Sequence, residues 1–318
     1  MIPKRKVFFS AVFTLIFSLS VFAFEHRSGV KRTAKSAYFL LRAQIRADTL
    51  PLIGDYVLRK QVRIQTDRID EASGITPSFS NAGCWYTHND SNNPNEVFLL
   101  DSLGALRSVI KLKGAENVDW EDISSGPGPK KGVHYVYVGD IGDNRYQRKH
   151  IAVYRFADPK ISSDQKTDKR ELKPDKITLK YPDGAHNAET MLLDPKTRDL
   201  YIVTKARKTA DVYVAPYPQS TKKPVILKKT GSLPIDHATG GAISADGQHI
   251  LIRDYWNIFY WPVKGSIVQS LEQPMVRVPY KKEIQGEAVS WFPDGSGYFT
   301  VSESPLKQPT DIFIYTRK

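Results

Sequence analysis

EASGITP (71–77), EDISSGP (121–127), ETMLLDP (189–195) and EAVSWFP (287–293) share one frame: a glutamate, five residues and a proline. A fifth copy, GAISADG (241–247), keeps the spacing and puts glycine at both ends. Each copy leads through a turn into a second apolar run: GCWYTHND (83–90), HYVYVGD (134–140), DLYIVTK (199–205), HILIRD (249–254) and GYFTVSE (297–303). A third run follows each of them: EVFLLD (96–101), IAVYRF (151–156), DVYVAPY (211–217), NIFYWPV (257–263) and DIFIYTR (311–317). Four copies add a fourth, SVIKLKG (108–114), KITLKYPD (176–183), PVILKKTG (224–231) and PMVRVPY (274–280), whereas the last runs to Lys318 without one.

Short strands in sets of four, at a period of about 50 residues, are the pattern of a β-propeller, whose blades are four-stranded sheets around a channel. The expected fold is all-β, a single propeller of five blades over 59–318, with six as the alternative count. The strand missing from the last blade is sought in RKQVRIQT (59–66), where Val62 and Ile64 alternate with polar residues. Closure by this N-terminal strand would leave no free edge between first and last blades. Residues 160–176 carry few apolar side chains and read as a solvated insertion in the second blade.

Composition narrows the class. At 41% hydrophobic and 25% charged residues, the 318-residue chain is neither disordered, collagen-like nor a polytopic membrane protein. The single cysteine, Cys84, excludes an intramolecular disulfide and reads as a core thiol. Of the net charge of +12, half lies in residues 1–58, so the rest of the chain gives no sign of a nucleic-acid surface. A basic triplet, Lys4-Arg5-Lys6, followed by the apolar run 7–24 is the order of an export signal. Segment 1–24 is therefore expected to be a cleaved signal peptide or an inner-membrane anchor, leaving the remainder periplasmic, secreted or facing outward. Residues 25–58 read as a basic linker with a short helix, and the protein as a monomer.

In a propeller the start of strand one and the end of strand two emerge on the same face. The first position holds Glu71, Glu121, Glu189 and Glu287, with Gly241 as the gap; the second holds Asp90, Asp140, Lys205, Asp254 and Glu303. Carboxylates gathered at one mouth repel unless a cation or donors neutralise them. Hard oxygen ligands select calcium, with magnesium or manganese as alternatives, and HExxH and CxxC motifs are absent from the chain. The expected metal ligands are Glu71, Glu121, Glu189, Glu287, Asp90 and Asp140, with further oxygens from Asp119, Asp143, Asn144 and Asn187. The expected catalytic set is His186 as base, Asp140, and Lys205 for substrate charge; His88 and His237 also fall near this mouth. Trp120, Tyr255 and Trp256 adjoin it as a stacking wall or, in the plainer account, as core filling between blades.

The strings DWEDI (119–123), GDIGDN (139–144) and AETMLLDP (188–195) resemble those of a group of exported bacterial β-propellers with no settled activity. More distantly, the architecture is similar to calcium-dependent lactonases and phosphotriesterases of the gluconolactonase and paraoxonase type, which hold calcium in the channel through a few Glu, Asn and Asp residues. Those have six blades and fewer glutamates. The resemblance implies a cation-dependent hydrolase of an ester, lactone or phosphoester. Two alternatives stay open: a glycoside hydrolase using two of the same carboxylates without metal, and a non-catalytic envelope propeller that presents this face to a polysaccharide or protein partner; the mouth itself is expected to take a small-molecule or polysaccharide ligand.

Overall fold

Runs such as EVFLL (96–100) and LYIVT (200–204) are apolar nearly throughout because blades stack face to face, so a middle strand has no solvent side. The computed structural model describes residues 49–162, 167–304 and 310–318, so the expected signal peptide or anchor of residues 1–24, and the expected linker and short helix of 25–58 up to residue 48, lie outside the described residues. No helix among the described residues is long and apolar enough to cross a membrane.

Five antiparallel blades make up the unit from Pro51 to Lys318. Blade 1 contains β2 (Ala72–Pro77), β3 (Trp85–Asn89), β4 (Glu96–Leu100) and β5 (Leu106–Leu112). Blade 2 contains β6 (Trp120–Pro127), β7 (His134–Asp140), β8 (Ile151–Ala157) and β10 (Asp175–Lys180). Blade 3 is β11 (Ala188–Leu193), β12 (Leu200–Thr204), β13 (Ala210–Ala215) and β15 (Lys228–Leu233). Blade 4 is β16 (Gly240–Ile243), β17 (His249–Arg253), β18 (Ile258–Pro262) and β19 (Val276–Val278). Blade 5 is β20 (Gln285–Trp291), β21 (Gly297–Glu303), β22 (Asp311–Arg317) and, from the other end of the unit, β1 (Tyr56–Arg63). The expected closing strand is thus present but begins three residues earlier than expected, pairing Tyr56 with Arg317 and Arg63 with Asp311.

The outer edges hold an arrangement that the repeat did not foretell. Part of the expected solvated insertion forms β9 (Asp168–Leu172), which pairs in parallel with β5 of blade 1. The run PVILKKTG divides: β14 (Val225–Ile226) pairs in parallel with β10 of blade 2, and the remainder becomes β15 of its own blade. In blade 4 a short helix α1 (Ile267–Leu271), started by a capping box between Ser266 and Gln269, lies beside β15 of blade 3. The segment before β1 bridges Leu52 to Arg277 on β19 of blade 4. The β4–β5 turn of blade 1 in its turn reaches the end of β1: Gln65 N–H donates to Gly104 O at 2.8 Å and Lys60 Nζ to Ser102 O at 3.0 Å. Each blade therefore covers part of the outer edge of the one before it.

Polar staples fix the inner ring. Asp122 of blade 2 accepts from Met191 N–H of blade 3 at 2.8 Å, and Ser124 Oγ donates to Met191 O at 2.9 Å. Thr239 Oγ1 of blade 4 donates to Gly286 O of blade 5 at 2.9 Å. Buried hydroxyls and carboxylates thus satisfy backbone groups across seams where no ladder runs.

Closure generates a test. A chain starting at Pro51 is expected to stay soluble, whereas one starting at Ile64 bares Ile312–Thr316, an apolar edge without proline, and aggregates. Light scattering and melting curves of the two truncations check this, and equal behaviour would refute the closing role of β1.

Candidate functional site

Register places the mouth residues more sharply than the frame does. In blades 2, 3 and 5 a β-bulge in the inner strand falls at Glu121, Glu189 and Glu287. A bulge inserts one unpaired residue and re-aims its side chain. In blade 1 the bulge falls at Ser73, so Ser73 rather than Glu71 is the counterpart of these glutamates. Glu71 precedes β2, and its Oε2 accepts from Asn93 Nδ2 at 2.7 Å. Blade 4 pairs Gly240 with Arg253 and Gly241 with Ile252 without a bulge and sends no carboxylate from its inner strand.

The strand-two ends shift in the same way. Asp90 N–H donates to Glu71 O and Lys205 N–H to Asn187 O, both at 2.9 Å; in blade 2 the equivalent bond, to Asp119 O at 3.1 Å, comes from Gly142. Asp140 therefore lies two residues before the position of Asp90 and Lys205. It pairs with Arg148 at 2.9 Å and accepts from Asp119 N–H at 3.0 Å, which makes it a support for the loop that carries Asp119. Asp254 accepts from the backbone of Trp256 and Asn257 in its own turn.

What converges is a cluster whose tightest part is Asp90, Asp119 and Glu121, with one carboxylate oxygen of each within 4.8 Å of the others. Gly142 closes one side, and a Cβ there would overlap Glu121 Oε1 and Asp119 Oδ2. Glu189, Glu287 and Glu303 act electrostatically on this trio or on one another. Lys205 Nζ lies 2.5 Å from both Glu189 Oε1 and Tyr255 OH. The other oxygen of Glu189, a residue only 4% exposed, is buried without a hydrogen-bond partner among the described residues. A buried carboxylate oxygen left unpaired is costly, which points to a ligand that completes it.

Electrostatics agree with that geometry. Burial, then Asp119 and Glu189, pushes the Asp90 carboxyl up to about 7. Burial also lifts Glu189 to about 7 against the pull of Lys205, and Glu287 to about 7. Glu121 and Glu303 are driven well above the carboxylate range by burial and by their acidic neighbours.

The remaining expected residues stand apart from this cluster. His186 bonds to Asp183 at 3.0 Å and to Tyr213 OH at 3.1 Å. His237 pairs with Asp236 at 3.0 Å. His88 is fully buried edge-on to Trp120, and burial lowers it to about 4. Asp143 N–H donates to Asn187 Oδ1 at 2.7 Å and Asn187 Nδ2 to Asn144 Oδ1 at 3.2 Å, so these three brace the seam between blades 2 and 3. Trp120 is core filling whose Nε1 donates to Glu116 O. Sequence reasoning missed Ser73, Gly142 and Gln285, whose Nε2 donates to Glu303 Oε2 at 2.7 Å. Only the double glycine of GDIGDN signalled any of them.

No family model matches the chain, and no curated protein does, so neither the motif group nor the lactonase-like relatives are established as its kin. Among solved structures it is similar to a luciferin-regenerating enzyme, at 13% identity over 77% of each chain with a TM-score of 0.41. It is likewise similar to hydrazine synthase of Kuenenia stuttgartiensis, at 12% identity over 76% of this chain and 83% of that one, with a TM-score of 0.40.

The raised carboxyls fix a pH dependence. Unfolding restores Asp90, Glu189 and Glu287 to ordinary values of 3.8 to 4.5, whereas the folded groups hold their protons to about 7. The unfolded chain releases them first, so their contribution is most favourable below about pH 4 and is lost as pH rises through about 7. In chelator the melting temperature should fall between about pH 4 and 7, and saturating calcium should flatten the fall. A rise over that range in chelator would contradict this account.

Proposed function

We propose that this mouth holds a divalent cation, calcium in the first instance, on Asp90, Asp119 and Glu121, and that it hydrolyses an ester, lactone or phosphoester. The observation that carries the proposal is the trio within 4.8 Å, backed by the unpartnered Glu189 oxygen. Two ligands on opposite sides of a calcium ion, at about 2.4 Å each, stand about 4.8 Å apart, so the spacing fits. Gly142 leaves the room that an alanine methyl would fill.

When bound, the cation supplies a Lewis acid that polarises a carbonyl or phosphoryl oxygen. The protein's own part is to position and to move a proton. Glu189, steadied by Lys205 at one oxygen and unpartnered at the other, takes a proton from an attacking water in this proposal. This assigns to a glutamate the basic role expected of His186, which Asp183 and Tyr213 engage. Export of the chain under the direction of residues 1–24 belongs to the same proposal, since weak calcium sites of extracellular modules fill outside the cytosol.

Saturating calcium should raise the melting temperature of the purified protein by roughly 5–10 °C, the shift given by a ligand at about a hundred times its Kd in a domain of this size. Glu121→Gln should lose most of that gain. Gly142→Ala, whose methyl intrudes on Glu121 and Asp119, should weaken calcium roughly tenfold or more without unfolding the blade. Should calcium, magnesium and manganese all leave the melting curve of the wild type unchanged, the proposal fails. Generic ester, lactone, phosphoester and glycoside substrates then separate a hydrolase from a binding propeller.

A further inference from the structure

From Ser220 to Thr230 the chain reads STKKPVILKKT, four lysines and no acid around an apolar centre. The fold lays this run along the seam between blades 2 and 3. Val225 and Leu227 turn inward onto the core that the two blades share, and Leu227 N–H donates to Lys180 O at 2.9 Å. Alternation then turns Ile226 outward, where it is 52% exposed. Its parallel partner on β10 is Lys180, itself exposed next to the buried Leu179, so the two side chains leave the sheet on one face. Lys222, Lys223 and Lys228 are exposed as well. None of them is more than four residues from Ile226, a span of at most about 14 Å of extended chain, and Lys180 is one strand spacing away, about 5 Å.

The charge of this patch is not balanced from within. Neighbouring acids are held by other partners: Asp175 by Arg155 and Asp211 by Lys229, each at 2.7 Å, and Asp183 by Tyr213 OH at 2.8 Å and His186 at 3.0 Å. Lys180, Lys222, Lys223 and Lys228 form no ion pair among the described residues. Lysines also guard the open edge of a sheet against stray pairing, and β14 and β15 are edge strands. Guarding is served by charge alone, and an exposed isoleucine among the charges works against it. A soluble polyanion would engage the ammonium groups and leave Ile226 in water. An anionic lipid surface engages both, because headgroup phosphates meet the ammonium groups on their flexible stems while the apolar tip enters the boundary beneath.

We infer that the outer face at the seam of blades 2 and 3 docks on an anionic phospholipid surface, with Lys180, Lys222, Lys223 and Lys228 on the headgroups and Ile226 at the acyl boundary. Contact through the rim of the ring leaves both ends of the channel free. The carboxylate mouth and its proposed cation do not enter the inference, so either can fail without the other.

Amine acylation of the full chain, read lysine by lysine in the mass spectrometer, tests it. The probes are vesicles of phosphatidylcholine alone and vesicles with about one third phosphatidylglycerol. Residues 1–48 have apolar and basic stretches of their own, so the pattern of shielding, and not the amount of protein bound, is the readout. The four lysines should be shielded on the anionic vesicles and not on the neutral ones, relative to Lys282, which is exposed ahead of blade 5 on the far side of the ring. A lysine at an anionic surface contributes roughly fivefold, so Lys222→Gln combined with Lys223→Gln should weaken docking roughly twentyfold and return Lys180 and Lys228 to their unshielded rates. Ile226→Ser, with a melting curve to confirm folding, should also reduce the shielding. Equal acylation of the four lysines on both kinds of vesicle overturns the inference, and this comparison needs no variant. So does shielding by soluble polyphosphate that equals that of the vesicles and is indifferent to Ile226→Ser, because the patch would then be a site for a free polyanion.

Discussion

The pairing of β1 with β22 decides where the chemistry of this molecule can be. Asp90 belongs to blade 1 and Glu287 and Glu303 to blade 5, and they share a mouth only because Tyr56–Arg63 completes the fifth sheet and brings its inner strand beside β2. In an open arc these groups would face water and keep ordinary acidities. In the closed ring they are desolvated together, and burial is the first cause of every raised carboxyl there. The long-range hydrogen bonds of one edge strand thus set the electrostatics of a site to which that strand contributes no side chain.

Bulges turn the ring into a site. Placed at one level in three inner strands, they aim Glu121, Glu189 and Glu287 at the mouth, while Asp122, one residue on, reaches back to staple blade 2 to blade 3. Adjacent acids so do opposite tasks. One is left short of donors at the mouth, and the other is supplied with backbone donors where the seam must hold. The blade without a bulge has glycines at this level, where a Cβ on Gly240 would overlap Glu287 O of the next strand.

Much of this was legible in the sequence. The repeat gave the five blades and the closing strand because each blade writes its apolar runs in the same order, and the convergence of Glu121, Glu189, Glu287, Asp90, Lys205 and Glu303 followed from strand direction alone. The offsets were not legible. A bulge adds a residue without changing composition, so Glu71 seemed equivalent to Glu121 although Ser73 occupies that place. Asp140 likewise read as the partner of Asp90, because nothing in GDIGDN says that the ladder runs on to Gly142. The parallel pairings of β9 and β14 escaped because their partners lie in another repeat and the segments are short and polar.

The overlap of blade edges imposes an order on synthesis. A chain made from its N-terminus completes blade 1 through β5, yet the neighbour of β5 on the outside, β9, emerges only after most of blade 2. The same delay separates β10 from β14. The longest wait falls to β1, whose Gln61 side chain meets Asp311 across 250 residues. Its middle, from Leu58 to Gln61, bears Arg59 and Lys60, and only Tyr56 and Val62 are buried in the finished sheet. Such a strand is poor at pairing with strangers while its partner is still unmade. The charge of β1 thus protects an unfinished ring as well as decorating a finished one.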